Sequence, residues 1–484
     1  MTEFERGVAA QVVLVQPDQK VIIAGTAMKP DLPDATFFTV LRFNADGSPD
    51  LSFGTNGQVF TSILSRNGAQ AGMLQADGKF IIAGHIIGNL PGNKIGLVRY
   101  NPDGSLDLSF GDNGKVISDF NVSSAANVHS LLTQPDGKIV AVGDNESFDI
   151  FLSRYESNGV LDSSFGNGGK VITRYVNEGN QAKSALLQPD GKIVVGGWIN
   201  TSDSASNSAL FRYNADGTPD NSFDNDGVAI NALSSSHDRV NRVLLRPDGK
   251  ILTVGISVNA QQNAQNYAVT LYNSDGALDL AYGNKGTSFL PATGIVSIED
   301  ALLQTDGKII IAGSNSDLSG SRYRTHLVRF NPNGSFDFTF GNGGRVNFPV
   351  GYSSRGSALA IQNDKKILVA GGGTTLSSRK GIFALTRFQG GDGQIPASAF
   401  IAGRVVDDNT ARGVGGVLVR LSGGALTAPR YARVNAFGFY RFSGLPVNAE
   451  YDLTVIGKYN FTFQTSVHLL LNGNEYAEDL LYRR

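Results

Sequence analysis

Short apolar runs rich in Val, Ile and Leu, each cut off by Gly, Asn, Asp or Pro, follow one another through residues 1–390, and nowhere do apolar positions keep a helical spacing. Such a pattern predicts β-strands joined by tight turns. In one stretch the strands fall at 184–188, 192–198 and 210–214, with a further run at 170–175 before them. Between the first two, Pro189-Asp190-Gly191 suits a hairpin, because Pro presets its φ, Asp bonds its own backbone and Gly tolerates a positive φ. The strand that follows, Ile193-Val194-Val195, is apolar without alternation, so both of its faces are expected to be covered.

The phrase of apolar run, Pro-Asp-Gly-Lys-like turn and second apolar run ending in Gly returns seven times. Its Lys stands at Lys20, Lys79, Lys138, Lys192, Lys250, Lys308 and Lys366, at spacings of 59, 59, 54, 58, 58 and 58 residues. Periods this long mean repeated supersecondary units, and four-stranded units that cannot bury their faces alone are best arranged radially, which also protects their edges. Residues 1–390 therefore predict an all-β fold, a seven-bladed β-propeller of four-stranded blades. A linear β-solenoid is the competing arrangement, with far shorter rungs. The seventh repeat stops at Leu385-Thr386-Arg387-Phe388 and lacks the segment that follows this strand elsewhere, as in Phe340-Gly341-Asn342-Gly343-Gly344-Arg345-Val346. The last blade is expected to miss one strand. A longer precursor is expected to supply it from upstream of Met1, along with any signal peptide.

The segments 42–54 (Arg-Phe-Asn-Ala-Asp-Gly-Ser-Pro-Asp-Leu-Ser-Phe-Gly) and 99–111 (Arg-Tyr-Asn-Pro-Asp-Gly-Ser-Leu-Asp-Leu-Ser-Phe-Gly) resemble the delta-60 repeat of bacterial propeller proteins. That resemblance implies a secreted or surface protein, in an extracellular, cell-surface or periplasmic location. Beyond a Gly-rich linker at 391–397, the period stops. Segments 400–407, 416–421, 438–446 and 451–455 look like the carboxypeptidase regulatory-like domain, which implies a small transthyretin-like β-sandwich over residues 398–484 without peptidase chemistry.

Charge and composition narrow the partners. Lys and Arg total 41 against 43 Asp and Glu, so no positive excess is available for a nucleic-acid backbone or an anionic membrane. No apolar run is long enough to span a bilayer as a helix, and the chain is expected to be monomeric. With no cysteine, disulfides, thiolate metal sites and cysteine nucleophiles are excluded.

The strongest chemical candidate is an Asn-x-Asp-Gly-x-x-Asp phrase, present as Asn44, Asp46 and Asp50, as Asn101, Asp103 and Asp107, and as Asn214, Asp216 and Asp220. It resembles the later part of the calcium loop of FG-GAP propellers, where oxygen ligands alternate around a Gly turn. Here Arg42, Arg99 and Arg212 stand where that loop begins with Asp, and a guanidinium repels a cation. The competing reading is structural, with Asx turns and an Arg to Asp pair. His85, His129, His237, His326 and His468 lie in different repeats or domains without ligand spacing. No Gly-x-Ser-x-Gly elbow is present, and the stretch Ala370-Gly371-Gly372-Gly373 reads as a strand end rather than a phosphate cradle. No catalytic or cofactor-binding residue is assigned, and the chain is expected not to be an enzyme.

The Pro-Asp-Gly turns and the Asp-Gly to Phe-Gly loops should share one face of the ring. The connections at 26–36, 84–93, 200–208, 257–267 and 314–325 then share the other, and they are rich in Ser, Asn and Gln, as adaptable recognition loops are. The first reading is a non-catalytic binding, adhesion or scaffold module whose variable loops contact a glycan or an extracellular protein. The alternative is a polysaccharide-acting hydrolase or lyase with its site in the central channel. Carboxylates converging with Tyr or His on the inner strands would favour the second, and an apolar or Ser-lined channel the first.

Overall fold

The computed structural model describes the chain except for residues 1, 5–8, 30–31, 89–93, 121–125, 146, 148, 176–178, 202–204, 260–263, 293–294, 317–322, 342, 349–352, 375–380, 389–398, 408–413, 415, 424–425, 436–438, 446–448, 457–465, 472–474, 477–479 and 483–484. Every regular element described is a strand. Strands within residues 1–388 form five four-stranded sheets and one eight-stranded sheet, the latter being two quartets joined by a single parallel pairing, Ser206 with His237. In the quartet that begins at Asn180–Leu187, this strand pairs with Ile193–Asn200, which pairs with Ser206–Tyr213, and Val228–Asn231 closes the edge. The run at 170 belongs one quartet earlier, paired to Ile150–Tyr155. The turn between the first two strands has Gly191 at a φ of 86°, the conformation for which Gly is needed.

Ile193, Val194 and Val195 are fully buried. Alternate side chains serve different neighbours. Ile193 and Val195 pack with Val140 and Val142 of the preceding quartet, whereas Val194 packs with Val240 and Val243 of the following one. Each quartet thus completes its core only between two others, and the last packs on the first: Ala10, Val13, Ile23 and Leu41 share a cluster with Ala358, Leu368, Ala370 and Phe383.

Hydrogen bonds repeat this closure. From the end of a third strand, Arg42 donates to the Pro102 carbonyl, Arg99 to Ser157 at 2.5 Å, Arg154 to Ala215 at 2.7 Å and Arg212 to Ser274 at 2.5 Å, each in the next quartet. Where Leu271 replaces this Arg, Arg246 of the adjoining turn reaches Pro332 at 3.1 Å instead. Arg387 of the last quartet donates to Ala45 of the first at 2.6 Å. The strand expected to be missing from the last quartet has an occupant: Thr2–Phe4 runs antiparallel to the third strand, pairing with residues 381–383. Lacking the Phe-Gly and Val signature, these residues do not announce themselves as an edge strand.

The C-terminal part forms two further sheets. One holds Ala399–Asp407, Phe439–Leu445, Glu475–Tyr476 and Leu480–Tyr482, and the other Leu418–Gly423, Arg430–Arg433, Ala449–Ile456 and Ser466–Leu471. Val405, Tyr440 and Phe442 of the first meet Val419, Leu421 and Leu453 of the second in one cluster. The linker at 391–397 lies outside the described residues.

Candidate active site in the central channel

The first strands of the seven quartets surround a cavity of about 1080 Å³. Each of these strands carries a β-bulge at the same place, nine residues before the turn Lys. The extra residues are Gln11, Gln70, His129, Lys183, Asn241, Glu299 and Ser357, and all seven line the cavity. A bulge leaves one residue unpaired and re-aims it, so the fold collects one polar side chain per quartet on the channel wall.

A glycine opposite each bulge makes this possible. Gly25, Gly84, Gly143, Gly197, Gly255, Gly313 and Gly371 pair with the residue just before the extra one. A Cβ at Gly197 would lie 1.7 Å from the Gln181 carbonyl oxygen, and at Gly313 1.8 Å from that of Ser297. The Gly that ends the repeated phrase therefore admits the backbone oxygen displaced by the bulge. The stretch 370–373 forms the C-terminal half of the strand Ile367–Thr374, with Gly371 opposite the bulge.

Charge in the channel is uneven. His129 places Nε2 3.1 Å from Oδ1 of buried Asp144, and Lys183 lies 3.8 Å from the other oxygen of that carboxylate. Arg242 donates to Asp300 at 2.6 Å, and Asp300 also accepts the Leu359 amide of the next quartet at 2.7 Å. Trp198 lies between the Lys183 ammonium and the Arg239 guanidinium, 5.3 and 4.9 Å from its ring. Gln70 is committed to the wall, accepting from the His85 and Val128 amides at 3.2 and 3.0 Å and donating to Asn127 at 2.7 Å. Glu299 projects into the open cavity while protein encloses it on the remaining sides. That enclosure raises its carboxyl above the ordinary carboxylate value, despite a Ser297 hydrogen bond and the positive charges of Arg355, Lys183 and Arg242.

The carboxylates singled out from the sequence lie elsewhere, among the turns. Asp50 accepts from Lys20 at 2.9 Å and Arg42 at 2.8 Å, Asp107 from Lys79 at 2.9 Å and Arg99 at 2.7 Å, and Asp220 from Lys192 at 2.8 Å and Arg212 at 2.6 Å. Asp46, Asp103 and Asp216 each accept the amide two residues on, at 2.8 to 3.0 Å. Asn44, Asn101 and Asn214 donate to the same turns' Ser48, Ser105 and Thr218. The two halves of each phrase are thus held apart, one in an Asx turn and one in a two-cation pair. Among the described residues no group of three His, Asp or Glu side chains is placed to hold a metal ion.

Of the described histidine side chains only His129 lines the channel. His237 contacts Ser206 at 3.3 Å, and His326 stacks on Tyr267, its burial pulling its pKa down to about 4. The side chain of His468 and the variable-loop residues 30–31, 89–93, 202–204, 260–263 and 317–322 lie outside the described residues. Sequence reasoning missed the channel ring, although a polar residue nine positions before every turn Lys was there to be read.

The repeats, the quartets and their mutual packing define a β-propeller protein. Residues 16–53, 75–110, 134–165, 188–223, 246–282 and 304–340 match the family model described as "Domain of unknown function (DUF5122) beta-propeller". No curated protein matches the chain. Among solved structures it is similar to the β-propeller domain of the Trilobed protease from Pyrococcus furiosus, at 11% identity over 79% of this chain and 94% of that one, with a TM-score of 0.41. It is also similar to the α-L-arabinanase of Penicillium chrysogenum, at 13% identity over 65% and 92% with a TM-score of 0.41. The α-L-arabinofuranosidase of Fusarium graminearum aligns at 10% identity over 66% and 91%, with a TM-score of 0.39. The expectation that the chain is not an enzyme is corrected by this set, in which glycoside-cleaving propellers recur. At these identities the likeness is one of fold, and the substrates belong to those proteins.

Proposed function

We propose that this chain is a polysaccharide-cleaving enzyme, a hydrolase or lyase, whose site is the central channel of a seven-bladed propeller of delta-60 type. The observation that carries this is that Glu299 and Asp300 of the sixth quartet and His129 of the third, which is paired to Asp144, all line the one cavity, where a passive module would present apolar or Ser-lined surface. Both reactions need a proton delivered to the departing glycosidic oxygen and another removed, from water or from a sugar carbon. Glu299, which faces the cavity and whose enclosure raises its carboxyl above the ordinary carboxylate value, is the group to give the first. His129, on a bulge of the third quartet and oriented by Asp144, receives the other. The glycan is the partner, the protein works outside the cytoplasm, and residues 398–484 form a transthyretin-like sandwich that serves as spacer or docking unit.

Release of reducing or unsaturated ends from a panel of polysaccharides tests the reading. Glu299→Gln is expected to lower turnover by about 10²- to 10⁴-fold, the usual worth of a general acid, without moving the melting temperature. Turnover unchanged in that variant, or no cleavage of any polysaccharide, would overturn it.

A further inference from the structure

The residue two before each bulge points to the same side of its strand as the bulged residue, forming a second tier towards the variable loops. In the fifth, sixth and seventh quartets this tier reads Arg239, Ser297 and Arg355, and the bulge tier below it Asn241, Glu299 and Ser357. Glu299 is therefore flanked by one guanidinium from each adjacent quartet. Both arginines are exposed. Arg239 lies 4.9 Å over Trp198 and Arg355 4.4 Å over Tyr323, so an aromatic face orients each without neutralising it.

Their charges are unspent. Arg242 is committed to Asp300 at 2.6 Å and Lys183 lies within 3.8 Å of Asp144, but among the described residues neither Arg239 nor Arg355 is within ion-pair distance of a carboxylate. The first and second quartets contribute neutral Gln11 and Gln70 at the same level of the wall. In a chain of net charge −2, a guanidinium on either side of Glu299, that of Arg239 on the cavity wall itself, is local design rather than overall basicity. Two pre-oriented planar forks, set to either side of an acid, match a row of carboxylates spaced along a sugar chain.

Resting on the reading of the channel as a polysaccharide site, we propose that its substrate is a uronate-containing polysaccharide, whose carboxylates are received by Arg239 and Arg355 on either side of Glu299. Calorimetric titration of the full chain with oligogalacturonate and oligomannuronate, against a neutral arabinan oligosaccharide of equal length, tests this. An oligouronate is expected to bind more tightly than the neutral chain, with affinity falling as salt is raised. Arg239→Gln and Arg355→Gln should each weaken that binding about ten- to hundredfold, the worth of a lost charge-assisted pair, with melting temperatures unchanged. Equal affinity for the neutral oligosaccharide, native affinity in both variants, or no binding of either uronate would overturn the proposal. A chain that cuts a neutral polysaccharide through Glu299 and ignores both uronates ends this inference and leaves the enzymatic reading intact. Arginine-dependent uronate binding without cleavage does the reverse.

Discussion

At the scale of single residues, a polar side chain on the channel wall and a glycine on the neighbouring strand form one device. The bulge drives the carbonyl two residues before the extra residue against the second strand, and only a position without Cβ accepts it. Gly197→Ala is accordingly expected to destabilise the protein by about 1–3 kcal/mol or more, the cost of forcing atoms into a filled site. Gln11→Ala, which removes an exposed extra side chain and leaves its bulge intact, should stay within about 0.5 kcal/mol of native. Urea titrations of the two variants check the contrast, and equal effects would show that the glycine serves something else. The device is poorly legible because it breaks period two. Strand alternation starts cleanly at Ser184, so that strand reads as 184–188, whereas it runs from Asn180 and carries Lys183 as the extra residue. The polar ring sits in the portion that alternation discards.

At the scale of the element, the turn and the loop of five of the seven quartets are tied by one carboxylate between two cations, and here far more was legible. Arg, Asp and Lys recur in fixed register, and an Arg to Asp pair could be set against calcium from the sequence alone. What spacing could not say was that the turn Lys closes the set, since it lies some 24 to 30 residues from its Asp. These carboxyls are buried and held below their ordinary value. For Asp337, burial pushes upward, but the Thr339 hydroxyl and the Arg329 charge outweigh it and hold the group at about 2 against an ordinary 3.8. A carboxyl depressed in the folded state contributes stability fully above its unfolded value and loses it as pH falls towards the folded one. Stability is therefore expected to be level above about pH 5 and to decline from pH 4 towards pH 2, and calorimetric melting across that range measures it. Asp220→Asn, which leaves Arg212 buried with Lys192 unpaired, should cost about 3–5 kcal/mol and flatten part of that decline. A decline unaltered by the substitution would place the acid sensitivity elsewhere.

At the scale of the whole molecule, the ring is one chain of equivalent joints except where its ends meet. Six joints lie between quartets consecutive in sequence, and the seventh brings residues more than three hundred positions apart together through Arg387 on Ala45, Gln362 on Gln19 and the shared apolar cluster. That seam is also the lightest. The last quartet's fourth strand is the three-residue Thr2–Phe4, and Lys366 pairs with Asp364 of its own turn instead of a loop carboxylate. Loop closure over so long a separation costs entropy that no local contact offsets, so the ring should open here first. Native-state hydrogen exchange is expected to be fastest, among core strands, in residues 381–388 and 9–15, and Arg387→Ala should speed exchange there while leaving 193–200 as protected as before. Arg246→Ala removes the same type of bond, to the Pro332 carbonyl, at an interior joint, which two sequence-adjacent quartets keep together, so its effect should be smaller. Seam amides that exchange no faster than those of the fourth quartet would mean that the three short pairings and the Arg387 bond hold the ring as firmly as any interior joint.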